Sequence, residues 1–457
     1  MDRPPFPIAL AIFLALCLAP SLHAADWPRW LGPDGDAVWT ETGVLAGDKF
    51  PTDEPKVIWR TEAGLGYSGP SVADGKVFVA DYLVADGTVT NNAGGRDTLL
   101  GKERLRALDL ATGDVLWIYE YPRPYSLSYP GGPRTTPTYA DGKVYFLGAE
   151  GNLSCVDAES GDPVWTKSFA DDLGAKTPIW GHAAHPLVHG QHLICVVGGQ
   201  DAHTVAFDKD TGEEAWRALS APEPGYCPPT LIKPASGSGP LQVVIWTPEK
   251  LASLDPATGA IYWDLPLAPK FNMAIAAPRL DHTGTRFFVS GPGDVGALVA
   301  LGEDDSGAPT ASIAWRGTPK SAAYTVNSTP FLDGDTAYAC DGESSALIAF
   351  DLADGTRHWS TTTPTLGENA NPRARHGTAF LTKHAPSGYF LLFNERGDLL
   401  LADLSPDGYS ELDRLHLLEP TNENSGRPVV WSAPAFAEKS VLVRNDKEII
   451  RVDLSTP

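Results

Sequence analysis

Cysteine is scarce in this chain, with five in 457 residues, none adjacent to another and none in a CxxC pair. That spacing excludes a thiolate metal cluster and a disulfide framework. Beyond Cys17, only Cys155, Cys195, Cys227 and Cys340 are left, and whether two of them form one bridge stays open. Positive charge is also short. Lys and Arg total 35 against 57 Asp and Glu, a net charge of −22. Such an acid excess repels phosphate backbones and anionic lipid surfaces, so nucleic-acid and peripheral-membrane roles are excluded. Long apolar runs are lacking too. The longest, Ile8 to Leu18, has about 11 residues where a membrane-spanning helix needs about 20. What the chain has in plenty is glycine (45) and proline (40) beside many Val, Thr, Trp and Tyr residues, the composition of a loop-rich all-β protein.

The short apolar run has Arg3 ahead of it and Ala24-Ala25 after it, which reads as a secretory signal over residues 1–24. Leu16 stands before Cys17, where bacterial lipidation needs a small residue. The expected destination is the periplasm or the exterior.

An internal repeat dominates the rest. LRALDLATGDVLW (105–117) recurs as LSCVDAESGDPVW (153–165), TVAFDKDTGEEAW (204–216), LASLDPATGAIYW (251–263) and LIAFDLADGTRHW (347–359). Weaker copies lie at 298–307 with Trp315, at 399–408 and at 449–455. From Asp109 to Asp453 is 344 residues over seven intervals, about 49 per unit, the length of a four-stranded propeller blade. Two residues before each Asp the side chain is small (Ala107, Cys155, Ala206, Ser253, Ala300, Ala349), so Cys155 reads as a packing residue. The Asp caps a turn, the Gly after it accepts φ > 0, and the Trp closes the element. Asp208-Lys209-Asp210-Thr211-Gly212 resembles the start of a calcium loop, but its sibling units lack the second acid, so it reads as a turn. Upstream of each unit a Pro-led strand and an Asp-Gly turn form a second hairpin, as at Asp74-Gly75 and Asp141-Gly142.

The pattern predicts an all-β fold: an eight-bladed β-propeller of four-stranded antiparallel blades over residues 55–457. Residues 25–54 form an N-terminal segment packing on it. The last unit has no room for its fourth strand, and VIWR (57–60) has a Trp without a preceding turn, so an N-terminal strand near 55–60 is expected to complete the last blade. Trp59, Trp117, Trp165, Trp216, Trp263, Trp315 and Trp359 are the expected blade-docking residues. In the seventh blade Glu411 stands at the tryptophan position.

The unit A-x-D-x-x-T-G-x-x-x-W resembles the repeat of the pyrroloquinoline quinone (PQQ) family of propellers, over essentially all of 55–457. DWPRWLGPDGDAVWTETGVL (26–45), residues 132–165 and residues 427–454 are similar to the exported PQQ-like propellers of planctomycetes and related bacteria, a group often described as similar to BamB, a scaffold of outer-membrane protein assembly. The resemblance implies either a non-catalytic binding or protein-interaction scaffold, with no cofactor, or a quinoprotein dehydrogenase holding PQQ and Ca²⁺ in its central funnel. Quinoprotein alcohol dehydrogenases of this superfamily carry two adjacent cysteines against the cofactor, with Glu, Asn and Asp on the calcium. This chain has no Cys-Cys pair, and the scaffold is the expected reading, as a monomer with an unidentified protein or small-molecule partner.

Innermost strands line a propeller axis, so the candidate funnel residues are those at the strand starts: Tyr67, Arg134, Trp180, His182, His185, Asn327, Arg373, Arg375, His376 and Trp431, with Ser68, Thr135, Tyr226, Asn272 and Ser328 beside them. Three Arg and three His there would make a positive mouth that attracts a carboxylate or sulfate. No catalytic nucleophile and no metal set emerges: G-x-S-x-G is absent, and a His₃ site would need three distant residues to converge. N-terminal sequencing of the exported protein should begin at Ala25 or within a residue or two; retention of Met1 would overturn the signal assignment.

Overall fold

A computed structural model describes residues 26–457 except 236–238, 369, 372 and 425. The signal assignment of residues 1–24 lies outside the described residues. Eight antiparallel sheets follow one another along the chain, and each runs from an inner strand to an outer one. The first blade holds Ser71–Ala73, Lys76–Asp86, Asp97–Asp109 and Val115–Pro122. The eighth holds Ala435–Ala437, Ser440–Arg444 and Glu448–Asp453, and its outer strand is Lys56–Glu62. Lys56 pairs with Asp453 and Glu62 with Glu448, so the ring closes as the repeat arithmetic predicts. Helix is confined to Phe169–Leu173 and one 3₁₀ turn among the described residues.

The repeated Asp-turn-Trp element is the joint between blades. Most of the indoles lie against the turn of the next blade. Trp59, Trp117, Trp165, Trp315 and Trp359 donate their indole N–H to the carbonyls of Leu110, Ala158, Lys209, Leu352 and Ser405, at 2.8–3.1 Å. The small residue two before the Asp makes room for the ring, as Cys155 does opposite Trp165 and Ala206 opposite Trp216. The turn glycine is equally constrained. Gly161 has φ +79°, and a Cβ on it would approach the Trp117 indole to 2.7 Å.

The fifth blade departs from this spacing. Its third strand, Val295–Glu303, continues five residues past the one that faces the indole, where the first blade's continues two, so the turn sits farther out while the indole keeps its depth. Leu298, not Ala300, therefore faces Trp315, and Ala300 faces Ser312. With no Asp turn opposite, Trp263 donates within its own blade to Gln242 Oε1 at 2.9 Å.

The N-terminal segment does more than rest on the ring. Trp27 bridges to Val72 on the first inner strand, and Arg279 of the fifth blade donates to the carbonyls of Gly35 and Asp36 at 2.9 and 2.6 Å. Val38–Trp39 then pairs parallel to the seventh inner strand, Ala379–His384. Residues 27–39 thus cross the axis. Farther on, Val44 and Phe50 are buried in one apolar cluster with Leu415, Leu417, Val452 and Leu454, at the joint where Glu411 replaces the tryptophan. The Phe50 N–H donates to Asp413 at 2.8 Å.

The closing seam carries buried charge. The Arg444 side chain is fully buried and donates to the carbonyls of Ala80 and Gly64, both at 2.6 Å. Beside it Asp81, also fully buried, pairs with Arg104 at 2.7 Å and Arg106 at 3.2 Å. The four described cysteines are free and buried in separate strands and loops.

Trp59→Ala removes both the indole packing and the bond to Leu110. It should cost about 3–5 kcal/mol of unfolding free energy, measured by denaturant titration. A nearly neutral result would show that the closure does not depend on this joint.

Candidate functional site

The loops that lead into the inner strands converge on the axis and enclose a cavity of about 310 Å³. Its walls are largely apolar and rich in aromatic rings. Trp180 and Tyr226 face each other at 5.6 Å on one side, and Tyr67 and Tyr129 flank Trp431 at 6.4 and 6.1 Å on the other. Trp431 is steered from behind, its N–H donating to Glu395, a buried carboxylate paired with Arg427 at 2.6 Å. At the end crossed by the N-terminal segment, Trp30 stacks on His185 with ring centroids 4.5 Å apart and planes within 6°.

Of the candidate funnel residues, Tyr67, Arg134, Trp180, His185, Asn327, His376 and Trp431 line this cavity, together with Tyr226 and Ser328. The others do not. His182 is buried edge-on against Phe169 at 5.2 Å. Arg375 pairs with Glu343 at 3.2 Å on the rim, and Arg373 and Asn272 are exposed. Ser68 and Thr135 are buried and donate to the carbonyls of Ala80 and Leu147. Trp30, Tyr129, Thr136 and Phe380 line the cavity without having been singled out from the sequence. Only Trp30 carries a visible signal, a tryptophan outside the repeat register.

The expected positive mouth is not formed. Among the described residues Arg134 is the one cation lining the cavity, and none of them lines it with a carboxylate. Its guanidinium donates to the carbonyls of Trp180 (2.9 Å), Tyr129 (2.6 Å), Ser128 (3.2 Å) and Gly132, and it lies over the Tyr67 ring at 5.2 Å. Four of its five N–H bonds are thereby engaged. The histidines contribute no charge at neutral pH. Desolvation holds His185 at about 3 and lowers His376 as well. The backbone N–H of Thr136 donates to His185 Nδ1 at 3.0 Å, which leaves the proton of the neutral ring on Nε2. Burial also raises the Tyr67 phenol far above its ordinary value. Among the described residues no group of three or more His, Cys, Asp or Glu is placed to hold a metal ion.

Eight four-stranded blades joined by Asp-turn-Trp elements, around an aromatic axial cavity, define a PQQ-type β-propeller. The family model described as outer membrane protein assembly factor BamB matches residues 101–361 and 249–457, and the chain belongs to that family. Its curated relatives fall in two groups. The dehydrogenase subunit of a quinone alcohol dehydrogenase from Komagataeibacter europaeus is 32% identical over 129 residues, 26% of this chain and 18% of that protein. The outer membrane protein assembly factor BamB of Burkholderia pseudomallei is 33% identical over 232 residues, 42% of this chain and 55% of that protein. The chain therefore spans less than a fifth of the first relative and about half of the second. Among solved structures, a europium-containing methanol dehydrogenase superposes with a TM-score of 0.57 at 11% identity, over 92% of this chain and 89% of that one. Identity that low reports the fold alone. No helix among the described residues is long and apolar enough to cross a membrane.

Two histidines away from the cavity give a pH test. Desolvation lowers His182 to about 3 and His203 to about 4, while the unfolded chain titrates near 6.5. The unfolded state takes up protons first, so their contribution is complete above pH 6.5 and is lost as the pH falls toward 4. His203 accepts from Thr204 or donates to it at 3.1 Å, and its Nε2 meets the Pro224 carbonyl at 3.0 Å. In His203→Gln, the stability lost between pH 7 and pH 5 should be smaller by about 2 kcal/mol than in the parent. Equal losses in the two proteins would contradict a neutral buried His203.

Proposed function

We propose that this chain is an exported, non-catalytic binding propeller whose axial cavity holds a small organic ligand and whose outer surface serves as a scaffold. The observation that carries this reading is the chemistry of the lining: aromatic walls, one guanidinium and no carboxylate. Such a cavity can bind and orient a flat molecule. Among the described residues no hydrogen bond links Ser328 or Tyr67 to His185 or His376, the pairing that would favour an activated nucleophile.

The residues present do not fit PQQ with calcium. Calcium takes six to eight oxygen ligands, usually including carboxylates, and the cavity lining offers no Asp or Glu. The quinone's carboxylates would meet a single cation already bonded to four carbonyls. Two adjacent cysteines, which the dehydrogenase resemblance calls for, are absent from the sequence. The shared fold and the axial cavity are what favour the dehydrogenase alternative. Function follows the site and not the fold, so the donor set outweighs them.

Equilibrium dialysis of the purified chain against PQQ with excess Ca²⁺ should show no stoichiometric binding, and alcohols or sugars should drive no dye reduction. Stoichiometric binding with alcohol-dependent reduction would overturn the scaffold reading and establish the dehydrogenase.

A further inference from the structure

We infer that the axial cavity is built for a flat aromatic molecule bearing one negative charge, an aromatic monocarboxylate in its simplest form, with Arg134 as the charge partner and Trp30 as the floor. This rests on the reading of the chain as a ligand-binding propeller. Three observations carry it.

The first is shape. Trp180 with Tyr226, and Tyr67 with Trp431, present aromatic surface from two sides of a cavity of about 310 Å³, room for a molecule of one or two fused rings. Aromatic faces at these separations favour offset or edge-on contact with a third ring. The second is charge. Arg134 makes no ion pair with any carboxylate among the described residues, and its bonds to four carbonyls fix its position without neutralising it. Every other described residue lining the cavity is uncharged at neutral pH, so among the described residues the cavity holds one positive charge without an ion-pair partner, in largely apolar surroundings. A single carboxylate balances it. A neutral ring leaves it unbalanced, and a polycarboxylate brings further charges that no group there can pair. The third is the polarity of the remaining donors. Four of the five Arg134 N–H groups meet carbonyls and the fifth has no acceptor among the described residues, and the Thr136 bond leaves the His185 ring with its proton on Nε2. Both suit an acceptor-only group such as a carboxylate.

Trp30 gives this site a feature outside the repeat. It comes from the N-terminal segment, yet it stacks on His185 and lines the cavity, so the floor is contributed by residues that the blades do not encode.

The test is isothermal titration of the purified full chain with four probes: indole-3-carboxylate, benzoate, neutral indole, and benzene-1,3,5-tricarboxylate. Indole-3-carboxylate should bind one to one and at least tenfold more tightly than either indole or the tricarboxylate, with benzoate showing the same preference for one charge more weakly. Arg134→Met should abolish the preference for the carboxylate over indole, and Trp30→Ala should weaken both. Because Arg134 also ties loops together, the comparison of probes on the unaltered chain stands as a test without any variant. If indole binds as tightly as its carboxylate, the charge assignment falls while the binding cavity stands. If the tricarboxylate binds most tightly, the single-charge inference is overturned. If no probe binds, the inference and the reading of the cavity as a ligand site fall together.

Discussion

An indole laid against the turn of the neighbouring blade holds this ring together, and most other features follow from where that contact can or cannot be made. At most joints the tryptophan has a small residue across from it, a glycine under it and a carbonyl for its N–H. Those three contacts fix the residue at the slot, the turn and the strand length at once. They explain why Cys155 is a packing residue and why Gly161 cannot carry a side chain without displacing Trp117. Burial of an aromatic with its polar atom satisfied is the general condition for such a contact to stabilise.

Where the contact fails, the chain supplies something else. In the seventh blade Glu411 accepts from Tyr409 and pairs with Arg414 at 2.8 Å, so it belongs to a polar surface network and cannot wedge two sheets. Val44 and Phe50 fill the apolar joint instead. The same N-terminal stretch crosses the axis, completes the eighth blade and contributes Trp30 to the cavity. One segment of some 35 residues therefore links the closure of the ring to the shape of its interior. A change in that segment is expected to be felt in both.

The cavity inherits its character from what the loops spend on one another. Arg134 uses its donors to tie three loop stretches together, Glu395 is consumed by Arg427 and Trp431, and the histidines are too desolvated to carry charge. A site that is rich in ionisable residues on paper is left with a single charge. That single charge is what the proposed reading of the cavity rests on.

The repeat made the architecture legible, because a 49-residue period with Asp, Gly and Trp at fixed offsets leaves few alternatives to eight blades. The closure by residues near 55–60 followed from a tryptophan without its turn, and the packing role of the turns followed from their residue types. The axial position of Tyr67, Arg134, Trp180, His185, Asn327, His376 and Trp431 was also readable, since the start of each inner strand must face the axis. The rest needed the folded chain. Arg373, Arg375 and His182 also lie just ahead of inner strands, yet loop conformation leaves the two arginines exposed and buries His182 against Phe169. Leu298 displaced Ala300 because pairing that continues farther past the indole shifts the turn and not the indole. Trp30 could not be placed at all from its neighbours, because its partner His185 lies more than 150 residues away. Local pattern determines which residues can occupy a repeat slot. Which loop residues meet, and what charge survives their meeting, depends on contacts between distant segments that no periodicity encodes.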